Sequence, residues 1–210
     1  LVVLLCLPLL ISGNWYAGDI IYEFYYNRVY GFNQLKQGEM PLWNPYQFTG
    51  YPFLESLQSG LFYPLNFVFL VFKPNIAFIL TVVIHLYLAW WFMSVLLENW
   101  LGDKWAAFIG GVIFMLCGPL TAHIYAGHIT YLNAYPWIPI ILHFYRLGFL
   151  KSNPLYFIIA GGLSGVQFLT GYPQISLFTF YIVLIFVLYK LFWILKEKEY
   201  SKAFNNGLYL

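Results

Sequence analysis

The residues of this chain able to do chemistry lie outside its apolar runs. Asp19 and Glu23 stand four apart, a spacing that would put both carboxylates on one helical face. At the mouth of an apolar cavity, such a carboxylate can take a proton from a sugar hydroxyl as general base. The competing assignment for Asp19 is a solvated loop carboxylate or a helix N-cap. Arg28 can pair with either carboxylate or bind a phosphate. His123 and His128 are five apart, which is not a helix-face pair, so as metal ligands they would need carboxylates from elsewhere. A hydrogen-bonded or phosphate-contacting imidazole is the preferred reading for both. Trp43 and Tyr46 flank Asn44 in a Pro-Leu-Trp-Asn-Pro-Tyr run. They can form a platform for a sugar ring or sit at the level of lipid headgroups. Gln174 can donate and accept hydrogen bonds, or cap the helix that follows it. His85 falls inside one apolar run and His143 near the end of another.

The composition says what must hold these residues. Sixty-one per cent of the chain is hydrophobic and 9% is charged, against about 25% charged in soluble domains. Several apolar runs approach or exceed the roughly 20 residues that cross a bilayer as a helix. The expected fold is therefore all-α: a polytopic transmembrane bundle in contact with the lipid bilayer. A net charge of +2 offers nothing to a nucleic acid, and no phosphate-binding P-loop or dinucleotide fingerprint occurs. Cys6 and Cys117 both lie in apolar runs and read as small buried residues.

Along the chain, residues 1–11 read as the end of a first span. Residues 12–74 form a long polar-aromatic loop without clear elements of its own, and a loop of that kind is either functional or disordered. Its density of Trp, Tyr and Phe argues for a folded, membrane-facing cap. Within it, 61–72 suits a re-entrant or interfacial segment. Spans are expected at 75–97, 105–122, 131–147, 155–170 and 175–195, with 196–210 following as a cytoplasmic segment. Gly110-Gly111, Gly118, and the pair Gly161 and Gly165 would let helices approach closely. Pro119 bends or ends its span, and Pro136 and Pro139 suit a helix start or a kink. With the loop outside, Lys104, Arg146, Lys151 and the Lys-rich tail all fall inside, as the positive-inside rule asks. The turns around 123–133 and 171–174 contain no Lys or Arg and share the loop's extracytoplasmic face.

Taken together, Gly18-Asp19, the run Gly38 to Tyr46, Phe48-Thr49-Gly50-Tyr51-Pro52, Phe62-Tyr63-Pro64, Gly127-His128 and Gly171-Tyr172-Pro173-Gln174 resemble the bacterial YfhO family. These are large membrane proteins related to the GT-C glycosyltransferases. The resemblance covers nearly the whole chain, and its most specific part is Pro-Leu-Trp-Asn-Pro-Tyr with the following Gly-x-Pro. It implies a GT-C-like bundle whose first extracytoplasmic loop carries short surface helices and a catalytic acid, here Asp19. It also implies a polyprenyl-phosphate-linked sugar donor and a cell-envelope polymer or lipid acceptor, as in teichoic acid glycosylation. The family's chains are longer, so this sequence looks like an N-terminal fragment.

Substrate contacts would come from Glu23, Arg28, Trp43, Asn44 and Tyr46 in the loop. His123, His128, Tyr172 and Gln174 would add to them from the turns. Tyr172 replaces a histidine common in the family. The charge building on the leaving phosphate calls for Arg28 or His128, with a divalent metal as rival. The alternative function is a transporter or flippase for a lipid-linked or amphiphilic solute, which Pro- and Gly-interrupted helices would suit.

Overall fold

The computed structural model describes residues 2–13 and 17–205. Residue 1, residues 14–16 of the expected loop and residues 206–210 of the expected C-terminal segment lie outside the described residues. The fold is all-α. Short helices α1 (Val2–Leu5) and α2 (Leu7–Ser12) open it. Three long stretches are apolar enough to cross a membrane: Pro74–Leu101, Lys104–Ala126 and Pro173–Lys196. The first is α5, begun by Pro74 at its N-terminus and ended by Gly102, whose left-handed backbone (φ 72°) satisfies the last turn. The second is interrupted: α6 (Lys104–Met115) stops at Leu116-Cys117, and α7 (Gly118–Ala126) restarts with Pro119 in its first turn. Asp103 caps α6, its carboxylate accepting from Trp105 N and Ala106 N. The third lies within α11 (Pro173–Asn205).

The spans expected at 131–147 and 155–170 come out differently. The first is α8 (Ile129–Ala134) followed by α9 (Trp137–Lys151). Tyr135 and Pro136 keep right-handed helical dihedrals between them, so Pro136 interrupts the hydrogen bonding without reversing the chain. The second is α10 (Pro154–Phe168). At 15 residues each, α9 and α10 are shorter than the roughly 20 residues that reach across a hydrocarbon core.

Glycine approaches are used selectively. A β-carbon on Gly111 would lie 2.6 Å from Trp90 O, so α6 packs backbone to backbone on α5. Gly148 of α9 receives the Phe157 ring of α10. Gly118, Gly161 and Gly165 have nothing of the kind within 4 Å among the described residues.

The long loop is folded where its sequence showed no clear element. A π-helical turn, Ile20–Phe24, runs directly into α3 (Tyr25–Lys36). A two-residue antiparallel ladder follows, β1 (Trp43–Asn44) with β2 (Tyr51–Pro52). Two 3-10 turns, Leu57–Ser59 and Pro64–Phe67, lead into α4 (Val68–Val71). Phe69 of α4 stacks on Phe32 of α3 and meets Phe78 of α5 edge-on, which clamps the loop onto the long helix.

The loop is also tied down through polar groups. His85 Nδ1 donates to Thr81 O at 2.7 Å, which leaves Nε2 as the acceptor of the neutral ring. Tyr63 donates its hydroxyl hydrogen to that nitrogen at 2.7 Å. The Tyr63 oxygen in turn accepts from Trp137 Nε1 at 3.0 Å. Tyr63 and His85 are fully buried. Replacing Tyr63 by Phe removes the partner of two buried groups and should destabilise the protein by roughly 2–4 kcal/mol. Denaturant titration in detergent micelles would measure it; a loss under about 0.5 kcal/mol would contradict this chain of bonds.

Candidate functional site

Asp19 occupies the N-cap position of the π-helical turn, yet its side chain makes no capping bond. Oδ2 instead accepts from His128 Nε2 at 2.8 Å. The two side chains are 46% and 36% exposed, so the pair is reachable from outside while resting on the fold. What brings them together is Gly127. It ends α7 in the left-handed conformation (φ 92°), a backbone that favours glycine. A β-carbon there would lie 2.9 Å from both Ala17 Cβ and Ile20 N. The α7–α8 corner thus closes onto the segment that carries Asp19.

The same corner corrects the reading of the two histidines. His123 lies in the last turn of α7, not in an open polar turn, and His128 follows the chain reversal at Gly127. Five residues apart in sequence, their Nδ1 atoms come within 2.5 Å. A carboxylate only accepts, so His128 Nε2 carries a hydrogen. In neutral His128 the Nδ1 lone pair then accepts from His123 Nδ1–H, leaving His123 Nε2 free to accept. When His128 is protonated, it donates at both ends and His123 turns to the other tautomer. Asp19, His128 and His123 therefore form a hydrogen-bonded relay that ends on the carboxylate. His123 is held by stacking on Tyr131, with centroids 3.6 Å apart. Tyr131 meets Tyr172 edge-on, which ties the relay to the turn before α11.

Glu23 lies one helical turn on from Asp19. Burial raises its carboxyl above the ordinary value, the Asp19 charge adds to that, and His128 opposes it. Arg28 does not join either carboxylate. It is fully buried beneath the Leu57–Ser59 turn and donates through Nη1 to Gln58 O and Ser59 O. Burial lowers its guanidinium to about 10. Its Nε and Nη2 have no partner among the described residues. Arg28 is thus a post under the loop and does not reach a phosphate at Asp19.

The other sequence-selected residues lie elsewhere. Asn44 is buried and accepts from Tyr46 N. Trp43 is half-exposed with its ring over Gly50, and Tyr46 is exposed against Tyr30. Gln174 is exposed in the first turn of α11. The turn before it still docks on the loop: a β-carbon on Gly171 would lie 2.3 Å from Leu57 O. Sequence reasoning quoted Gly127 and Tyr63 and noted His85 in its apolar run, but gave no role to Gly127, to Tyr131 or to a Tyr63–His85 pairing. A glycine directly after a helical run was the available signal for the first of these.

Among the described residues, no group of three or more His, Cys, Asp and Glu side chains is disposed to hold a metal ion. No known protein family, curated protein or solved structure matches the chain.

Glu23 yields a prediction with a definite sign. A carboxyl whose value is raised on folding opposes folding once ionised; the cost appears as pH rises through the carboxylate range. Glu23→Gln should therefore raise the thermal midpoint at neutral pH, and the gain should fade on acidification toward pH 4. A midpoint equal to or below wild type at neutral pH would contradict the buried, charge-crowded setting.

Proposed function

We propose that this chain serves a membrane glycosyltransferase, which moves a sugar from a polyprenyl-phosphate donor to a cell-envelope acceptor on the extracytoplasmic side. The observation that carries the reading is the partly exposed Asp19 carboxylate held by His128 where the folded loop meets the helices. Three stretches long and apolar enough for a bilayer support a reading in which the donor resides in lipid. The turns at 127–128 and 171–174, free of Lys and Arg, favour the outer face for that end of the molecule.

Asp19 takes the proton from an acceptor hydroxyl as its oxygen attacks the anomeric carbon. The bond from that carbon to the polyprenyl-phosphate oxygen breaks, and its electron pair leaves with the phosphate. A single displacement inverts the anomeric centre. His128 orients the carboxylate, and the half-exposed Asp19 returns the proton to solvent once the product has left. Negative charge on the leaving phosphate is met by His123 Nε2–H in the state where His128 is protonated, since Arg28 is sealed under the loop.

The test uses membranes containing the full-length protein, radiolabelled polyprenyl-phosphate sugars and envelope polymer. Asp19→Asn should lower transfer at least about 100-fold, within the range for loss of a general base, with unchanged abundance and thermal midpoint. His128→Ala should fall between the two. Undiminished transfer by Asp19→Asn would remove Asp19 from the chemistry. No transfer by wild type with any donor would overturn the glycosyltransferase reading and favour transport of a lipid-linked solute.

A further inference from the structure

Along α3 and the ladder beside it lie two open cavities that share one residue, Gln47. The first, about 560 Å³, is walled by Tyr26, Tyr30 and Tyr46 with Asn33 and Asn44 among them. The second, about 700 Å³, is walled by Tyr22, Phe48 and Tyr51 with Asn27 and Glu23. Both volumes fall in the roughly 300–1,000 Å³ range of small-molecule sites. We infer that they form one continuous groove that binds a neutral oligosaccharide acceptor and leads its end to Asp19. This rests on the transferase reading and narrows the acceptor.

The lining chemistry selects the ligand. Aromatic faces carry negative charge and pack against the partly positive C–H faces of sugar rings. Side-chain amides both donate and accept, as vicinal hydroxyls require. The groove supplies both. Among the described residues that line it there is no Lys or Arg, and the one charged group is Glu23. A polyanionic polymer of phosphodiesters would meet repulsion at Glu23 and find no cation to pair with; a neutral glycan meets neither problem. Lipid chains would gain nothing from the amides.

The walls are preset. Tyr30 donates to Trp43 O at 2.6 Å, and its ring supports Tyr46 edge-on. Tyr51 donates to Asn27 Oδ1 at 3.2 Å and stands opposite Asn44 in the ladder. Asn44 thus links the two walls, paired with Tyr51 across the ladder and accepting from the Tyr46 backbone. Rings already held in place lose little freedom on binding. Glu23 sits at the end of the groove nearest the relay, close enough for the charges of Asp19 and His128 to act on it.

The experiment measures binding to the full-length protein in nanodiscs with no donor present. The probes are neutral trisaccharides (glucose, mannose and N-acetylglucosamine trimers) and a glycerol-phosphate trimer, read by saturation-transfer NMR and titration. At least one neutral trimer should bind saturably, and more tightly than the glycerol-phosphate trimer. Tyr46→Ala should weaken that binding tenfold or more, Gln47→Ala several-fold, and Tyr46→Phe, which keeps the ring, by less than twofold. Tyr46 is largely exposed, so its loss leaves the fold intact. Absence of saturable binding by every neutral trimer, indifference to Tyr46→Ala, or preference for the glycerol-phosphate trimer would each overturn the proposal. Because no donor is present, these outcomes stand apart from whether Asp19 catalyses transfer.

Discussion

Trp137, Tyr63, His85 and Thr81 form one directed chain of hydrogen bonds through the middle of the protein, and the loop's position depends on it. Tyr63 belongs to the loop, His85 and Thr81 to α5, and Trp137 to the start of α9. Each of these buried groups is paired, which favours one register of the loop against the helices. Buried polar groups are costly when unpaired, which makes such a chain specific as well as stabilising. Arg28 adds a second tie, its buried guanidinium gripping two consecutive carbonyls of the Leu57–Ser59 turn. A buried cation without a carboxylate is an expensive support. It persists because the 57–60 turn folds over it: Gly60 is in the left-handed region, and a β-carbon there would meet Arg28 Nη2 at 2.7 Å.

Once the loop is seated, two close backbone approaches complete the site. Gly127 lets the α7–α8 corner reach the segment carrying Asp19, and Gly171 lets the turn before α11 reach the Leu57–Ser59 turn. Neither glycine does chemistry. Each removes a side chain that would hold two elements apart, and the distance saved at Gly127 is what permits an imidazole to meet the carboxylate. The relay and the aromatic-amide groove are therefore consequences of how tightly the loop lies on the helices.

How much of this was legible depends on which signal each element carries. The long helices announce themselves by length and apolarity, and α5 matches its expected span within a few residues. Helix α3 does not. Its buried positions are Asn27, Arg28, Gly31 and Phe32, mostly polar or small, so no hydrophobic stripe marks it. The stretches 131–147 and 155–170 are apolar enough, but proline at 136 and a turn at 169–172 shorten the helices formed. The small-residue pair Gly161 and Gly165 was visible, yet α10 uses a different face toward its neighbour.

For the site, residue types pointed to Asp19, His123 and His128 but not to their relation. A spacing of five excludes a shared helical face only while the helix continues; at Gly127 it does not. Arg28 looked like a partner for carboxylates because its charge is visible in sequence and its burial is not. By itself, then, the sequence determined what scales with composition and local run length: an all-α chain with bilayer-length apolar helices and an aromatic loop rich in polar groups. Only the tertiary structure decided which polar groups meet. Hydrogen bonds act over about 3 Å, and that proximity is set by glycine approaches and buried ties between residues tens of positions apart.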